Sequence, residues 1–149
     1  MAQAGFRKGT ATETPADLLV RLGPTLKVDI GLKSRSKPGA KPNLQEKGLL
    51  ALVDTGAGAN CIDEDLARSL SLPLSEVGEL IGVDGRKPAN IYLARLYIPS
   101  LDRLLFERLW GAKLQEGDQW QKVILGRPFL RQYRMIYDAP AGNVEIIQP

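Results

Sequence analysis

Apolar and polar positions alternate with a period of two along most of this chain, and helical spacing is confined to short stretches. Leu26-Lys27-Val28-Asp29-Ile30-Gly31-Leu32 alternates and predicts a half-buried strand. Lys33 to Lys47, with two prolines, predicts a long loop. Leu49-Leu50-Ala51-Leu52-Val53 is an unbroken apolar run, which predicts a buried strand ending at Asp54. From Glu76 onward the pattern is almost entirely that of strands. Val77 to Val83 and Pro88 to Tyr97 flank Asp84-Gly85, a hairpin-turn pair. Leu104 to Leu114 predicts a further strand, Gln115 to Gln119 a polar turn, and Val123-Ile124-Leu125 a short strand. Tyr133 to Asp138 and Val144 to Ile147 predict a closing hairpin.

Three short helices are expected. Thr14-Pro15 opens one over Ala16 to Leu22, within a polar leader spanning residues 1–24 that is otherwise expected to be flexible. Asp63-Glu64-Asp65 places acids in the first turn of a second, ending about Leu70, where the helix dipole favours negative charge. Pro128 suits the first turn of a third over Phe129 to Gln132. Many short strands with little helix predict an all-β barrel or sandwich.

Composition narrows the chemistry. At 149 residues the chain suits one domain with a core of its own. No apolar stretch approaches bilayer-spanning length, so no membrane association is expected. Arg7-Lys8 is not followed by the apolar core of a secretory signal. A single cysteine, Cys61, excludes an intrachain disulfide and suits a cytoplasmic setting. With no histidine, Ser–His and Cys–His activation and imidazole-built zinc sites are excluded. No metal or other cofactor is expected. Residues 1–48 hold nine Lys/Arg against four Asp/Glu, so the basicity of the chain lies at its start. Arg35, Lys37, Lys41 and Lys47 have no aromatic residue among them to stack on bases, so nucleic acid is not an expected partner.

Asp54 is the first candidate for chemistry. An ionised carboxylate at the end of an apolar strand is costly unless something compensates it. Asp54-Thr55-Gly56-Ala57, followed seventy residues later by Ile124-Leu125-Gly126-Arg127-Pro128-Phe129-Leu130, resembles the retropepsins, the retroviral-type aspartic peptidases. The likeness covers roughly residues 26–147 and includes the glycine-bearing hairpin between the two motifs.

That resemblance implies a closed acid-protease barrel over residues 25–149, with a flap hairpin and one short helix after the second motif. It further implies a homodimer acting on an extended peptide or protein substrate. Asp54 would be catalytic. Thr55, Gly56 and Ala57 would support the active-site loop, with Thr55 bonding across the dimer axis. Gly82, Val83, Asp84 and Gly85 would form the substrate-binding flap, and Ile124, Leu125, Gly126 and Arg127 would back the site. Strand residues Val144 to Ile147 would pair across the dimer. Gly58 stands where one retropepsin variant carries an acid for the arginine at position 127, so the partner of Arg127 is open.

The physical reason for a dimer is that aspartic peptidases share one proton between two carboxylates. One Asp-Thr-Gly motif supplies one carboxylate, and a two-fold axis supplies its mate. Two alternatives remain. One is a catalytically silent barrel of the same fold serving dimerisation or peptide binding. The other is a nucleotide-binding protein using Gly56-Ala57-Gly58-Ala59-Asn60-Cys61, which nearly fits a phosphate-cradling glycine turn between a strand and a helix, with Glu76 placed for a ribose.

Overall fold

The computed structural model describes residues 1–33, 37–117 and 119–149. Arg35 and part of the Gln115 to Gln119 turn lie outside the described residues. The chain forms β1 (Ala2–Gln3), α1 (Pro15–Leu22), β2 (Thr25–Gly31), β3 (Glu46–Val53), β4 (Cys61–Asp63), α2 (Glu64–Ser69), β5 (Leu74–Gly82) and β6 (Gly85–Ile98). It continues with β7 (Arg103–Ala112), β8 (Val123–Leu125), α3 (Arg127–Leu130), β9 (Arg134–Asp138) and β10 (Asn143–Ile147). Short 3-10 turns follow β6 and β7, at Pro99–Leu101 and Leu114–Gly117.

Six strands close into a barrel in the order β2-β3-β8-β4-β7-β6, with β6 returning to pair β2 at Asp29↔Tyr97, Ile30↔Leu96 and Gly31↔Arg95. Closure removes the open edges that an antiparallel sheet would otherwise present. The β2–β3 ladder is interrupted between Val28 and Ile30, where β3 carries one extra residue at Lys47-Gly48. Asp29, between the core residues Val28 and Ile30, is nonetheless covered at this irregularity, and the Gly48 N–H donates to its carboxylate at 2.9 Å. Gly48 holds φ +68°, a left-handed conformation that suits glycine.

The core gathers the inward faces of these strands: Val28, Ile30, Val53, Ile62, Leu96, Leu109, Val123 and Leu125 are all essentially inaccessible to water. Phe129 of α3 joins them. Each such side chain contributes roughly 1.5–3 kcal/mol by leaving water. The run 49–53 is not buried on both faces, as its sequence suggests. Ala51 and Val53 face the core, whereas Leu50 is 40 % exposed. Barrel strands have one inner and one outer face, and here the outer face is also apolar.

The N-terminal segment also departs from expectation. Its helix is present, closed by a capping box in which Thr14 and Asp17 bond each other's backbone N–H groups. Arg21 adds a forked pair to Glu13 at 2.7 and 2.8 Å. The start of the segment, however, is packed rather than loose. β1 pairs with β10, Ala4 and Phe6 continue that ladder to Val144 and Gly142, and Ala2 and Ala4 are buried. The second sheet therefore runs β1-β10-β9. Both edges of β10 are taken within one chain, so Val144 to Ile147 would pair across a dimer only by displacing β1 or β9.

Candidate active site

The chain leaves β3 at Val53, passes over the end of β8 and returns on its other side as β4. β8 runs parallel to β3 (Val53↔Leu125) and antiparallel to β4 (Cys61↔Ile124). The loop 54–60 thus straddles Ile124, Leu125 and Gly126. Asp54 continues the ladder by donating its N–H to the Leu125 carbonyl at 2.9 Å. Its half-buried side chain turns back to accept the Gly56 N–H on Oδ1 at 2.8 Å, while Ala57 N–H reaches the Asp54 carbonyl at 3.2 Å. One backbone N–H thus holds the carboxylate, and the turn closed by Ala57 holds the backbone beneath it.

Gly126 is where loop and second motif meet. A Cβ there would lie 2.6 Å from the Ala59 carbonyl and 2.7 Å from that of Ala57, so only glycine permits the approach. Its buried N–H donates to Asn60 Oδ1 at 2.8 Å. The next residue locks the loop from outside. Arg127 N–H bonds the Ala57 carbonyl at 2.9 Å, and its Nη1 bonds the Thr55 carbonyl at 2.9 Å. A Cβ at Gly58 would lie 3.2 Å from Nη2, so the glycine makes room for the guanidinium. This gives Arg127 a partner: among the described residues its guanidinium bonds backbone, at the Thr55 carbonyl.

A cleft of about 780 Å³ opens beside this loop. Gly56 to Ala59, Cys61 and Ile124 line one side, and the β5–β6 hairpin, including Ile81 to Gly85, lines the other. The lining takes in Gly56, whose N–H holds Asp54, but not Asp54 itself. Gly82 pairs with Gly85, so the two-residue turn is Val83-Asp84 rather than Asp84-Gly85, with Gly85 at φ +98°. Cys61 is buried, and both that burial and the neighbouring Asp54 charge push its thiol up to about 11. It is a small apolar wall residue and not a nucleophile at neutral pH.

No family model matches the chain, and no curated protein matches it. Among solved structures, it is similar to the solution structure of simian foamy virus (mac) protease, with a TM-score of 0.47 and 13 % identity over 72 % of this chain and 91 % of that one.

The structure thus brings Asp54, Thr55, Gly56 and Ala57 against Ile124, Leu125, Gly126 and Arg127, and sets Gly82 to Gly85 at the tip of the hairpin that walls the same cleft. It does not support the phosphate turn. The glycine loop leads into strand β4, and the six-residue α2 starts only at Glu64, so the helix that follows the loop in sequence does not open on Gly56 to Gly58 as that turn requires.

Two contributors escaped the sequence. Asn60 gave no signal beyond lying before a short apolar stretch, since its partner is 66 residues away. Glu64 reads as ordinary helix N-terminal charge, with Asp63 as the cap bonding Leu66 N–H at 3.2 Å. In the fold, however, Glu64 Oε1 accepts from Tyr92 Oη at 2.7 Å and Asn90 Nδ2 at 2.9 Å and pairs with Arg68 at 3.2 Å. Burial pushes its carboxyl up, but these bonds and the Arg68 charge outweigh that and hold it below the usual carboxylate value.

Proposed function

We propose that the chain is an aspartic endopeptidase whose active unit is a homodimer, with Asp54 from each copy forming one site. The observation that carries this reading is the placement of Asp54 on a rigid loop straddling the Ile124-Leu125-Gly126 element, with a long hairpin across an open cleft. An extended peptide would lie in that cleft between loop and hairpin. One Asp54, ionised, takes a proton from a bound water as the water oxygen attacks the scissile carbonyl carbon. The other, protonated, donates to the carbonyl oxygen, giving a neutral gem-diol. The carboxyl that took the water proton then gives it to the leaving nitrogen, while the other, now ionised, takes a proton from a gem-diol hydroxyl. The C–N bond breaks, acid and amine leave, and the pair again holds one proton. Two carboxylates about 3 Å apart cannot both stay ionised, which is what keeps one proton in the pair at mildly acidic pH.

The exposed apolar residues Val77, Ile81 and Val83 on the hairpin favour substrates with apolar side chains. Closure of the hairpin would exclude water and complete the site. The test is cleavage of a peptide library across acidic to neutral pH by the wild type and by Asp54→Asn. The variant should remain folded and lose essentially all hydrolysis. Hydrolysis that survives the substitution rules the mechanism out. A silent barrel of the same fold would bind peptides equally well with and without Asp54 and cleave none.

A further inference from the structure

We propose that Glu64 is a positioning residue that fixes the angle of the β5–β6 hairpin over the Asp54 loop. The hairpin arm needs such an anchor. From Gly78 to Ala89 most of its residues are exposed, and its backbone ladder along that length runs between its own two strands. Its direction is therefore set at the base, where β6 enters its ladder with β7 at Ile91↔Trp110 and where Asn90 and Tyr92 lie opposite Val77 and Leu74 of β5. Glu64 takes a hydrogen bond from each of them on the same oxygen.

The anchor is tied to the reactive carboxylate by a short, ordered piece of chain. Asp54 and Glu64 bound an eleven-residue segment in which the loop enters β4, and β4 ends at Asp63, the cap of α2. β4 is held on both sides, by β8 and by β7. Any movement of the hairpin base against Glu64 is thus movement against the loop. Gly111 on β7 completes the arrangement, because a Cβ there would collide with Glu64 Oε2. Tyr92 is buried, and the Glu64 side chain is only 15 % exposed, so these are shielded, charge-assisted bonds. The other ion pair at the hairpin base, Arg108 with Glu76 at 3.0 Å, is exposed on both sides and contributes little.

The consequence for hydrolysis rests on the peptidase reading, whereas the consequence for hairpin geometry does not. The test places spin labels at Val83→Cys, on the tip, and Lys27→Cys, on the exposed face of β2. Labelled protein is diluted with unlabelled protein so that only intrachain distances are read. Cys61, buried with its thiol pushed up to about 11, escapes labelling at neutral pH.

Glu64→Ala should widen the tip distance distribution, and Glu64→Gln, which keeps an acceptor oxygen, should restore most of its sharpness. Tyr92→Phe removes one bond alone and should widen it in part, which serves as the test if Glu64→Ala fails to fold. On peptide substrate, Glu64→Ala should raise KM roughly tenfold, the scale of losing a charge-assisted hydrogen bond, with kcat nearly kept. Unchanged distributions in both Glu64→Ala and Tyr92→Phe, with Asp54-dependent hydrolysis intact, overturn the positioning role alone. Widening without any Asp54-dependent hydrolysis upholds it and removes the peptidase reading.

Discussion

Asn60 shows how much of the site depends on one side chain that does no chemistry. Its Oδ1 is the acceptor for the buried Gly126 N–H, and its own carbonyl accepts from Trp110 N–H at 2.9 Å. Asn60→Ala leaves the Gly126 N–H without a partner and should cost about 1–3 kcal/mol, read as a lower urea midpoint at unchanged slope. Cys61 supports a prediction of the opposite kind. With its thiol raised from 9.0 to about 11 in the fold, the thiol form contributes stability fully present below pH 9 and lost as pH rises through 11. Alkylation of native protein should therefore be slow at pH 7–8 and become fast in denaturant. Rapid native labelling would contradict the buried placement.

At the scale of elements, the helix starts and the existence of the hairpin were legible because the residues that set them are close in sequence, although the turn itself falls one residue earlier, at Val83-Asp84. Thr14 and Asp17 are three residues apart, and Asp63 caps a helix beginning one residue later. Strands β8 and β10 lie where their apolar runs predict. The packed start of the chain was not legible. Ala2-Gln3-Ala4 has no strand signature of its own and pairs because β10, over 140 residues away, presents a free edge. Removing residues 1–5 should uncover that edge together with the core surface now covered by Ala2 and Ala4. The expected result is a lower thermal midpoint and concentration-dependent association, measured by calorimetry and light scattering. An unchanged midpoint would show that β1 contributes nothing to the fold.

For the whole molecule, the proposed two-copy site requires a second chain to bring its Asp54 to the first. β10 lies between β1 and β9, so a dimer has to form elsewhere or exchange β1 between copies. If a two-copy site is the enzyme, specific activity should fall on dilution in step with the dimer fraction seen by sedimentation. Activity strictly proportional to concentration in a monomeric range would remove the shared site.

The sequence by itself determined the mostly-β architecture, because period-two patterning and glycine turns are local facts. It also determined which carboxylate to examine, since Asp54 lies between an apolar strand and a glycine loop. Only the tertiary structure decided what surrounds that carboxylate. The grip of Arg127 on the Thr55 carbonyl, the bond from Gly126 to Asn60 and the anchoring of the hairpin by Glu64 join residues 72, 66 and 26–28 positions apart. No local pattern encodes such pairs. They form when barrel closure brings β4, β6 and β8 to one end, where desolvation makes each polar group's partner a condition of folding.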